Sequence, residues 1–534
     1  MKKYLLMATA LMTSVAMFAD TGWTEDRRFT PVTASYELSS IHTTVAADGS
    51  VYASSSITTE MTFGGKTLTP TADGSTCVVK YDKEGNEQWA ILFSGSNSLR
   101  AMTVDATGNL YVAGTVTGEA TEFIGTDGNS KTITNPTKYD DLWGEYVVTG
   151  KAGYIVKVTA DGAIAATQSV SPVGPEATVY YGEPRVNPNK IVVDGSNVYV
   201  SCFYAGSVES LGWEGRYTTC LNFDTFETDY YGDLSGAGVF SVSSSDLSGV
   251  KNVANLKATA DYDILDDGGF GCSPDAFSFV AKSGLVGVAF IGWGNLTLST
   301  PTQSVPFSFD RQGNGLNEHA LVLSMLTDIE HASLTYHSAA QDNEYPEYNL
   351  YGEMVGTDII LGGTFSGQLP LDNSKYSKST ETENKYKNAA FIASITPMSN
   401  TVNYALPVEA EEESYATGLI VTGEESHLGT ENAVYHYKTA DGANAGEPMD
   451  FGVLDGAQIN DEYVSIVYTE KDKTDVRVYA IPMGEPSAVE AVKAVKAADA
   501  AGAKYYTIDG MEIAAPQQGI SLVKTADGVK KIVK

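Results

Sequence analysis

The sequence predicts an all-β fold built from repeats of a four-stranded antiparallel sheet. Its 534 residues include 52 Gly, 31 Tyr and 18 Pro, a composition typical of a β protein with many turns. The stretch Ala101 to Gly114, AMTVDATGNLYVAG, joins strand-forming residues to an Asp/Gly turn, which indicates a β-hairpin. Related stretches begin at Thr44, Lys190, Val280 and Glu353. This recurrence predicts a repeat architecture.

A second hairpin follows the first in each repeat. It is clearest in STCVVKYDKEGNEQWAILF from Ser75 and AGYIVKVTADGAIAATQSV from Ala152, where a turn with Asp and Gly joins two strands. Val156 and Val158 alternate with polar residues, as in a strand with one buried face. Further copies begin at Ala237, His319, Asn388 and Asn432. Two hairpins make a four-stranded sheet, the unit of a β-propeller blade.

The number of repeats favours seven blades, with six as the alternative. Part of a seventh unit lies between Gln458 and Pro482, and we expect its missing strands to come from Phe29–Leu38. Pairing the first strand with the last unit would close the ring and remove exposed sheet edges. The propeller is therefore expected over residues 29–482. The other units begin near Ile41, Ala101, Lys190, Phe277, Tyr351 and Ala416.

The phrases TVDATGNLYVAG and AGYIVKVTADGAI resemble the seven-bladed propeller repeat of secreted bacterial proteins. That repeat pairs an Asp-x-x-Gly-Asn-x-Tyr-Val-x-Gly hairpin with an aliphatic strand ending in Asp-x-x-Gly. The match covers most of Ile41–Pro482 and is close in the first two units. The resemblance implies the fold and brings no fixed catalytic residues.

Residues 1–19 have the pattern of a secretory signal peptide. Lys2 and Lys3 supply positive charge, Tyr4–Phe18 is apolar, and Ala16 or Ala19 offers a small residue for cleavage. No later run approaches the roughly 20 apolar residues of a membrane helix. We therefore expect an exported protein whose mature chain has no transmembrane segment.

The C-terminal residues predict a small β domain over 504–534, after a linker rich in Ala, Val and Lys over 483–503. Turns at Asp509-Gly510 and Asp527-Gly528 are each flanked by strand-forming residues, and a Pro-Gln-Gln-Gly turn separates the two hairpins. The segment from Tyr505 to Lys534 is similar to the sorting domain of type IX secretion substrates. This resemblance implies export across an outer membrane and release or attachment at the cell surface.

The chain is strongly acidic, with a formal net charge of −33 and a pI near 4.4. Nucleic-acid binding requires a basic surface, so this charge excludes nucleic acid as a partner. It also disfavours anionic lipid surfaces, and it suits a soluble extracellular protein.

The chain has four cysteines, Cys77, Cys202, Cys220 and Cys272, and none forms a CxxC pair. In an oxidising compartment Cys202 and Cys220 are a candidate disulfide. The alternative is that the cysteines in strand patterns are small buried apolar groups.

The sequence predicts no catalytic residue. HExxH, GxSxG and Walker motifs are missing from it. His331 and His337 fall on one face of an expected strand, but no third metal ligand accompanies them. The segment around Asp82, Gly85 and Trp89 approaches the Asp box of sialidase-like propellers, with the spacing off by one at both steps. The chain is more typical of a binding protein than of an enzyme.

Two inserts rich in aromatic residues are candidate binding sites. The first, Lys138 to Tyr146, carries Tyr139, Trp143 and Tyr146, whose rings could stack on the apolar faces of sugars. The second, Leu211 to Tyr231, carries Trp213 and Tyr217. The alternative use of these rings is packing between blades and loops.

An acidic loop, ADYDILDDGGFG, is the candidate metal site, with calcium as the possible ligand. Carboxylates and glycines supply the oxygen-rich, turning loops that calcium prefers. The EF-hand spacing is not met, because Leu265 stands where a fifth-position ligand is needed. The alternative is a plain solvated loop. The candidate ligands are Asp261, Asp263, Asp266 and Asp267.

Three hypotheses follow for the function. The favoured one is a secreted or cell-surface propeller that binds a protein or glycan partner without catalysis. The second is a glycan-active enzyme, which requires converging carboxylates in one cleft. The third is a structural scaffold within a surface complex.

Overall fold

The computed structural model describes the following parts of the chain: residues 24–29, 42–63, 66–71, 74–140, 145–173, 180–181, 184–215, 217–221, 228–232, 234–258, 272–292, 294–308, 318–326, 334–339, 349–369, 371–376, 388–408, 413–421, 424–431, 433–446, 448, 458–459, 463–470, 473–480, 504–507, 512–513, 520–525 and 528–533. The chain divides into two compact units, Met1–Ala480 and Ile481–Lys534.

Six sheets follow one another along the first unit, each starting with the strand that we call inner. Sheet 1 has Thr43–Val45, Val51–Ile57, Ser75–Tyr81 and Glu87–Ser94, and sheet 2 has Asn97–Val104, Leu110–Val116, Gly153–Val158 and Ile164–Val170. Sheet 3 has Arg185–Asp194, Asn197–Ala205, Leu234–Ser243 and Lys251–Ala258. Sheet 4 has Cys272–Lys282, Leu285–Gly292, Glu318–Met325 and Leu334–Ala339. Sheet 5 has Leu350–Val355, Asp358–Phe365, Ala389–Thr396 and Thr401–Pro407, and sheet 6 has Ala416–Val421, Glu425–Thr430 and Val434–Lys438.

Sheet 7 joins the two ends of the first unit. Its strands Gln458–Ile459, Tyr463–Glu470 and Lys473–Ala480 are completed by Thr24–Phe29, which pairs antiparallel with Lys473–Ala480. The sequence predicted this closure but placed the strand at Phe29–Leu38. The observed strand, TEDRRF, is charged because it occupies a sheet edge, where charged side chains are tolerated and discourage further pairing. Residues 30–38 lie outside the described part of the chain.

The sheets are arranged around a common axis. The inner strand of sheet 2 contacts those of sheets 1 and 3, and the series of contacts continues through the inner strands of sheets 4, 5 and 6. The inner strand of sheet 1 also contacts the first two strands of sheet 7. Sequential antiparallel sheets that meet along their first strands make this unit a β-propeller, as the sequence predicted.

The turn chemistry of the sequence forms as expected in the Ala101–Gly114 hairpin. Oδ1 of Asp105 accepts hydrogen bonds from the backbone N–H groups of Thr107 and Asn109, at 2.9 and 3.0 Å. Gly108 adopts a φ of 81°, a left-handed conformation that glycine tolerates without strain. The hydrogen bonds also lower the pKa of the Asp105 carboxyl against the opposing effect of burial. The carboxylate is therefore a turn-forming group.

Hydrogen bonds from one sheet to a turn of the next connect sheets 1, 2 and 3. Lys80 Nζ and Trp89 Nε1 of sheet 1 both donate to the carbonyl oxygen of Ala160 in sheet 2, at 3.2 and 3.0 Å. In the same way, Lys157 Nζ and the Tyr111 hydroxyl of sheet 2 donate to the carbonyl of Ser244 in sheet 3, both at 2.8 Å. Because the repeats place Lys80 and Lys157 at equivalent positions, the sheet-to-sheet contact is itself repeated.

Two inserts extend the outer edges of neighbouring sheets. The hairpin Ala120–Ile124 and Ser130–Thr134, inserted in sheet 2, pairs with the outer strand of sheet 1. The hairpin Asn295–Ser299 and Ser304–Ser308, inserted in sheet 4, pairs with the outer strand of sheet 3. These parts of the inserts cover sheet edges that would otherwise be open to further pairing.

The remaining elements of the first unit are short. Two 3-10 turns occupy Glu209–Leu211 and Pro397–Ser399. Small hairpins are formed by Met61–Phe63 with Lys66–Leu68, by Thr137–Asp140 with Glu145–Val148, and by Gln368–Leu369 with Asp372–Tyr376. A three-stranded sheet contains Tyr180–Tyr181, Thr228–Gly232 and Tyr217–Leu221.

The second unit contains one four-stranded antiparallel sheet. Its strands Lys504–Thr507, Glu512–Ile513, Ile520–Thr525 and Gly528–Val533 match the two hairpins expected from the Asp-Gly turns. In the part of the chain that the structure covers, no helix combines the length and apolar character needed to span a bilayer.

The three cysteines whose side chains are described, Cys77, Cys202 and Cys272, are buried free thiols. The Cys202–Cys220 disulfide is therefore not formed. Cys202 packs instead in the apolar cluster formed by residues of sheets 2 and 3, where burial raises the pKa of its thiol.

Candidate functional site

Four inner strands carry β-bulges, each of which adds a polar residue to the strand nearest the propeller axis. The pairing register shifts at Arg100 in sheet 2, at Asn189 in sheet 3 and at Thr417 in sheet 6. In sheet 4 the pairing with the second strand is interrupted between Cys272 and Phe277, and the unpaired residues between them include Asp275. Bulges commonly redirect side chains next to functional sites. We call Arg100, Asn189, Asp275 and Thr417 the polar ring.

Two side chains of the polar ring interact electrostatically although their sheets are not neighbours. The charge of Arg100 in sheet 2 acts on the carboxyl of Asp275 in sheet 4. The Asp275 residue is exposed to solvent, yet the neighbouring protein atoms still desolvate its carboxyl and raise its pKa, and Arg100 opposes that rise. An interaction between alternate sheets requires both groups to lie near the axis.

Lys190 makes a second connection between alternate sheets, one residue further along the inner strand than Asn189. Its Nζ donates to the carbonyl oxygens of Phe279 in sheet 4 and Gly352 in sheet 5, at 3.0 and 2.9 Å, and lies 3.4 Å from Glu353 Oε1. The ammonium group also lies 5.6 Å from the centre of the Phe279 ring. Lys190 thus satisfies backbone carbonyls of two inner strands, one residue along the chain from the polar ring.

The polar ring faces the end of the propeller that carries the long inserts. In an antiparallel four-stranded sheet, the inner strand begins at the same end at which the second strand passes to the third. Arg100 and Asp275 lie in the first half of their strands, and the inserts of sheets 2 and 4 leave from the connection between second and third strands. The ring and the inserts therefore share one face, which we call the insert face.

The predicted aromatic site around Tyr139 and Tyr146 forms a hairpin on this insert face. Thr137–Asp140 pairs with Glu145–Val148, and Tyr139 stands directly opposite Tyr146. The Tyr146 side chain is 65% exposed, the most exposed large apolar residue among those described. Trp143 and the side chain of Tyr139 lie outside the described residues.

The base of this aromatic hairpin lies against the chain that leads into sheet 3. A Cβ at Gly150 would meet Pro136 Cγ at 3.4 Å and Pro172 Cγ at 3.3 Å, so the two prolines flank the glycine closely. Val173, which follows Pro172, is 44% exposed, and its backbone pairs with Ser207. The two exposed large apolar residues of the described chain, Tyr146 and Val173, thus belong to one region.

Trp213 is a core residue rather than the solvent-facing ring expected for sugar stacking. It is only 1% exposed and stacks on Tyr204 with ring centres 4.9 Å apart. Its Nε1 donates to Asn252 Oδ1 at 3.1 Å, which satisfies the polar end of the indole. Tyr217 begins the strand Tyr217–Leu221, and its side chain lies outside the described residues.

The calcium candidates Asp261, Asp263, Asp266 and Asp267 fall outside the described residues, as does His331. His337 lies on the strand Leu334–Ala339, with its side chain outside them. Among the residues whose placement is described, no three His, Cys, Asp or Glu side chains come together as a metal site.

Sequence reasoning missed a buried histidine pair in sheet 6. His427 and His436 lie directly opposite each other, with their Nδ1 atoms 2.6 Å apart and both side chains buried. At that distance one Nδ1 must donate a hydrogen and the other accept it. Burial lowers the pKa of His436 to about 4, and burial together with His436 lowers that of His427 well below its usual value. The sequence feature that could have revealed this pair is the spacing of the two histidines, which places them on the two strands of one hairpin.

Comparisons with known proteins return structural likenesses alone. No protein-family model and no curated protein matches the sequence. The chain is similar to BamB from Moraxella catarrhalis, at 9% identity over 86% of this chain and 99% of that chain, with a TM-score of 0.34. It is similar to the Dos1 propeller, at 10% identity over 86% and 96% of the two chains, with a TM-score of 0.38.

A DUF4221 family member from Bacteroides vulgatus gives 9% identity over 86% of this chain and 97% of that chain, with a TM-score of 0.32. At these scores and identities, none of the comparisons supports an argument about ligand or reaction.

Proposed function

We propose that the protein is an exported propeller that binds a glycan through its insert face and performs no catalysis. The observation that carries the proposal is the exposure of Tyr146, on a hairpin where it faces Tyr139 across the strands. Large aromatic rings exposed at a protein surface are typical of binding sites, and sugars present apolar faces that stack on them. Trp143, between the two tyrosines in the sequence, would add a third ring.

The proposal includes a seven-bladed ring and a surface location. Sheets 1 to 7, with the N-terminal strand completing the last, support seven blades rather than six. The signal-peptide pattern of residues 1–19 supports export, and the resemblance of residues 504–534 to a type IX sorting domain supports delivery to the cell surface. The partner would then be a glycan outside the cell.

The test is a glycan array probed with the full chain, with Tyr146→Ala and with Tyr146→Phe. Binding should be lost in the alanine variant and retained in the phenylalanine variant, because the phenyl ring preserves the stacking surface. Parallel arrays with calcium and with a chelator test the proposed calcium loop at Asp261, Asp263, Asp266 and Asp267. Equal binding by wild type and Tyr146→Ala would refute the hairpin site. A silent array in both conditions would favour a protein partner or a scaffold, to be sought by pull-down.

A glycan-active enzyme is the second candidate, and the observation that favours it is the raised pKa of Asp275 beside the axis. A carboxyl that holds its proton at higher pH can act as a general acid. This candidate requires that the full chain releases reducing ends from a polysaccharide panel and that Asp275→Asn abolishes the release. Unchanged polysaccharides after incubation with wild type would eliminate it.

A further inference from the structure

We infer that the polar ring is a second ligand site, separate from the aromatic hairpin, and that it takes a sugar bearing a carboxylate, a uronic acid. The ring contains one cation, Arg100, and three side chains that can form hydrogen bonds with hydroxyl groups. Each of the four stands on the inner strand of its sheet. A uronic acid presents the matching set, one carboxylate and several hydroxyls on a small ring.

Arg100 is the group that would bind the carboxylate. Its side chain is exposed and stands on a bulge beside the axis, in a chain whose net charge is −33. A guanidinium binds a carboxylate through two parallel hydrogen bonds, which fixes the orientation of the ligand as well as attracting it. An exposed arginine at the axis of so acidic a protein provides local selectivity for an anion that the remaining surface would repel.

The other ring members supply hydrogen bonds for hydroxyls. Asn189 Oδ1 accepts a hydrogen bond from the Ser201 hydroxyl, which orients the amide and leaves Nδ2 as a donor. Thr417 Oγ1 is buried and has no hydrogen-bond partner among the described residues. The hydroxyl is shielded from solvent, so it would bond a ligand hydroxyl once the Thr417 side chain turns toward the axis. Asp275 adds an acceptor for a further ligand hydroxyl.

Lys190 does not compete with Arg100 for the anion. Its ammonium already donates to two backbone carbonyls and lies 3.4 Å from the Glu353 carboxylate. Its hydrogen bonds are therefore taken up within the protein, which leaves Arg100 as the cation that distinguishes an acidic sugar from a neutral one.

The experiment is titration calorimetry of the full chain with D-glucuronate, D-galacturonate and, as the uncharged reference, D-glucose. We expect one of the two uronates to bind and glucose to bind more weakly. Arg100→Gln should weaken uronate binding by about 10- to 100-fold, the effect of losing hydrogen bonds to a charged group. Lys251→Gln is the matched control, because Lys251 is an exposed cation at the start of an outer strand.

Two further variants keep the result decisive. Thr417→Val preserves the shape of the side chain and should weaken uronate binding if the Thr417 hydroxyl contacts the ligand. Thermal melts of every variant identify any that fails to fold. Tyr146→Ala should leave uronate binding unchanged, which separates this site from the aromatic hairpin. The inference is overturned if neither uronate binds, if glucose binds equally well, or if Arg100→Gln and Lys251→Gln have the same effect.

Discussion

Lys157 of sheet 2 donates hydrogen bonds from one ammonium group to the carbonyl oxygens of both Ser244 and Ser245 of sheet 3, at 2.8 and 3.1 Å. The same ammonium lies 5.6 Å from the centre of the Tyr111 ring, whose hydroxyl also donates to Ser244. These hydrogen bonds hold sheet 2 against sheet 3 at a point where no backbone pairing joins the two sheets.

Replacing this lysine should loosen the propeller. We expect Lys157→Met to lower the free energy of unfolding by about 1–2 kcal/mol, since hydrogen bonds from a charged group are lost while the aliphatic stem is kept. Urea denaturation followed by tryptophan fluorescence measures the change. Lys131→Met, at an exposed position on an edge strand, is the control and should be nearly neutral. Equal midpoints for both variants would show that the Lys157 contact contributes no stability.

Gly114 should be intolerant of any side chain. An added Cβ would come within 2.3 Å of the Ser98 carbonyl oxygen and 2.5 Å of the Tyr154 hydroxyl, and the first of these is backbone that cannot rotate away. We expect Gly114→Ala to cost roughly 3 kcal/mol or more, or to abolish soluble expression. Gly195→Asn is the matched control, because its turn has a φ of 59° that asparagine accepts and no atom within 4 Å. A Gly114→Ala protein with the melting temperature of wild type would contradict the close approach.

The histidine pair of sheet 6 should make stability depend on pH in the acid range. The folded-state pKa of both rings is lowered, so the unfolded chain binds more protons, and stability falls as pH drops from about 6.5 toward 4. For His436 alone the loss amounts to roughly 3 kcal/mol once pH reaches the lowered value. Urea midpoints measured from pH 8 to pH 4 would detect it.

A variant without the pair isolates this effect from other acid-sensitive groups. His436→Gln should reduce the loss of stability between pH 6.5 and 4 by the contribution of His436, whereas His42→Gln, just before the first strand of sheet 1, should retain the full loss. If the two variants and wild type lose stability in parallel, the loss must be assigned to carboxyl groups elsewhere.

The N-terminal strand should be needed for a stable propeller. A chain beginning at residue 30 lacks Thr24–Phe29 and exposes the edge of Lys473–Ala480, whereas a chain beginning at residue 24 keeps the pairing. We expect a lower melting temperature and more aggregation in the shorter chain. Calorimetry and light scattering on the two truncations provide the comparison. Identical melting curves would show that the strand is dispensable.

The repeat structure was predictable because its signals are local. Asp105 and Gly108 determine a turn by their own conformations, and the alternating residues of each strand reveal the pairing. The closing strand was placed a few residues too late, since an edge strand has few apolar residues and its charged side chains give no strand signal. The buried state of Trp213 could not be read locally either, because it depends on Tyr204 and Asn252 in other strands.

The polar ring was invisible in the sequence for a different reason. Arg100, Asn189, Asp275 and Thr417 share no motif or spacing, and only the register shifts of four separate strands bring them to the axis. The aromatic hairpin was more accessible, because Tyr139 and Tyr146 belong to one short insert. Sites built within one hairpin are readable from sequence, whereas sites built across sheets require the register of each strand.

The pairing of Thr24–Phe29 with Lys473–Ala480 also sets an order of events for folding. The chain is made from its N-terminus, so the first strand of the unit must wait, unpaired, until the last has been synthesised. Joining segments so far apart costs loop-closure entropy that only the assembled sheets between them can offset. The ring therefore cannot close before the last strand is available, and a chain that stops short of Lys473–Ala480 leaves its first strand without that partner.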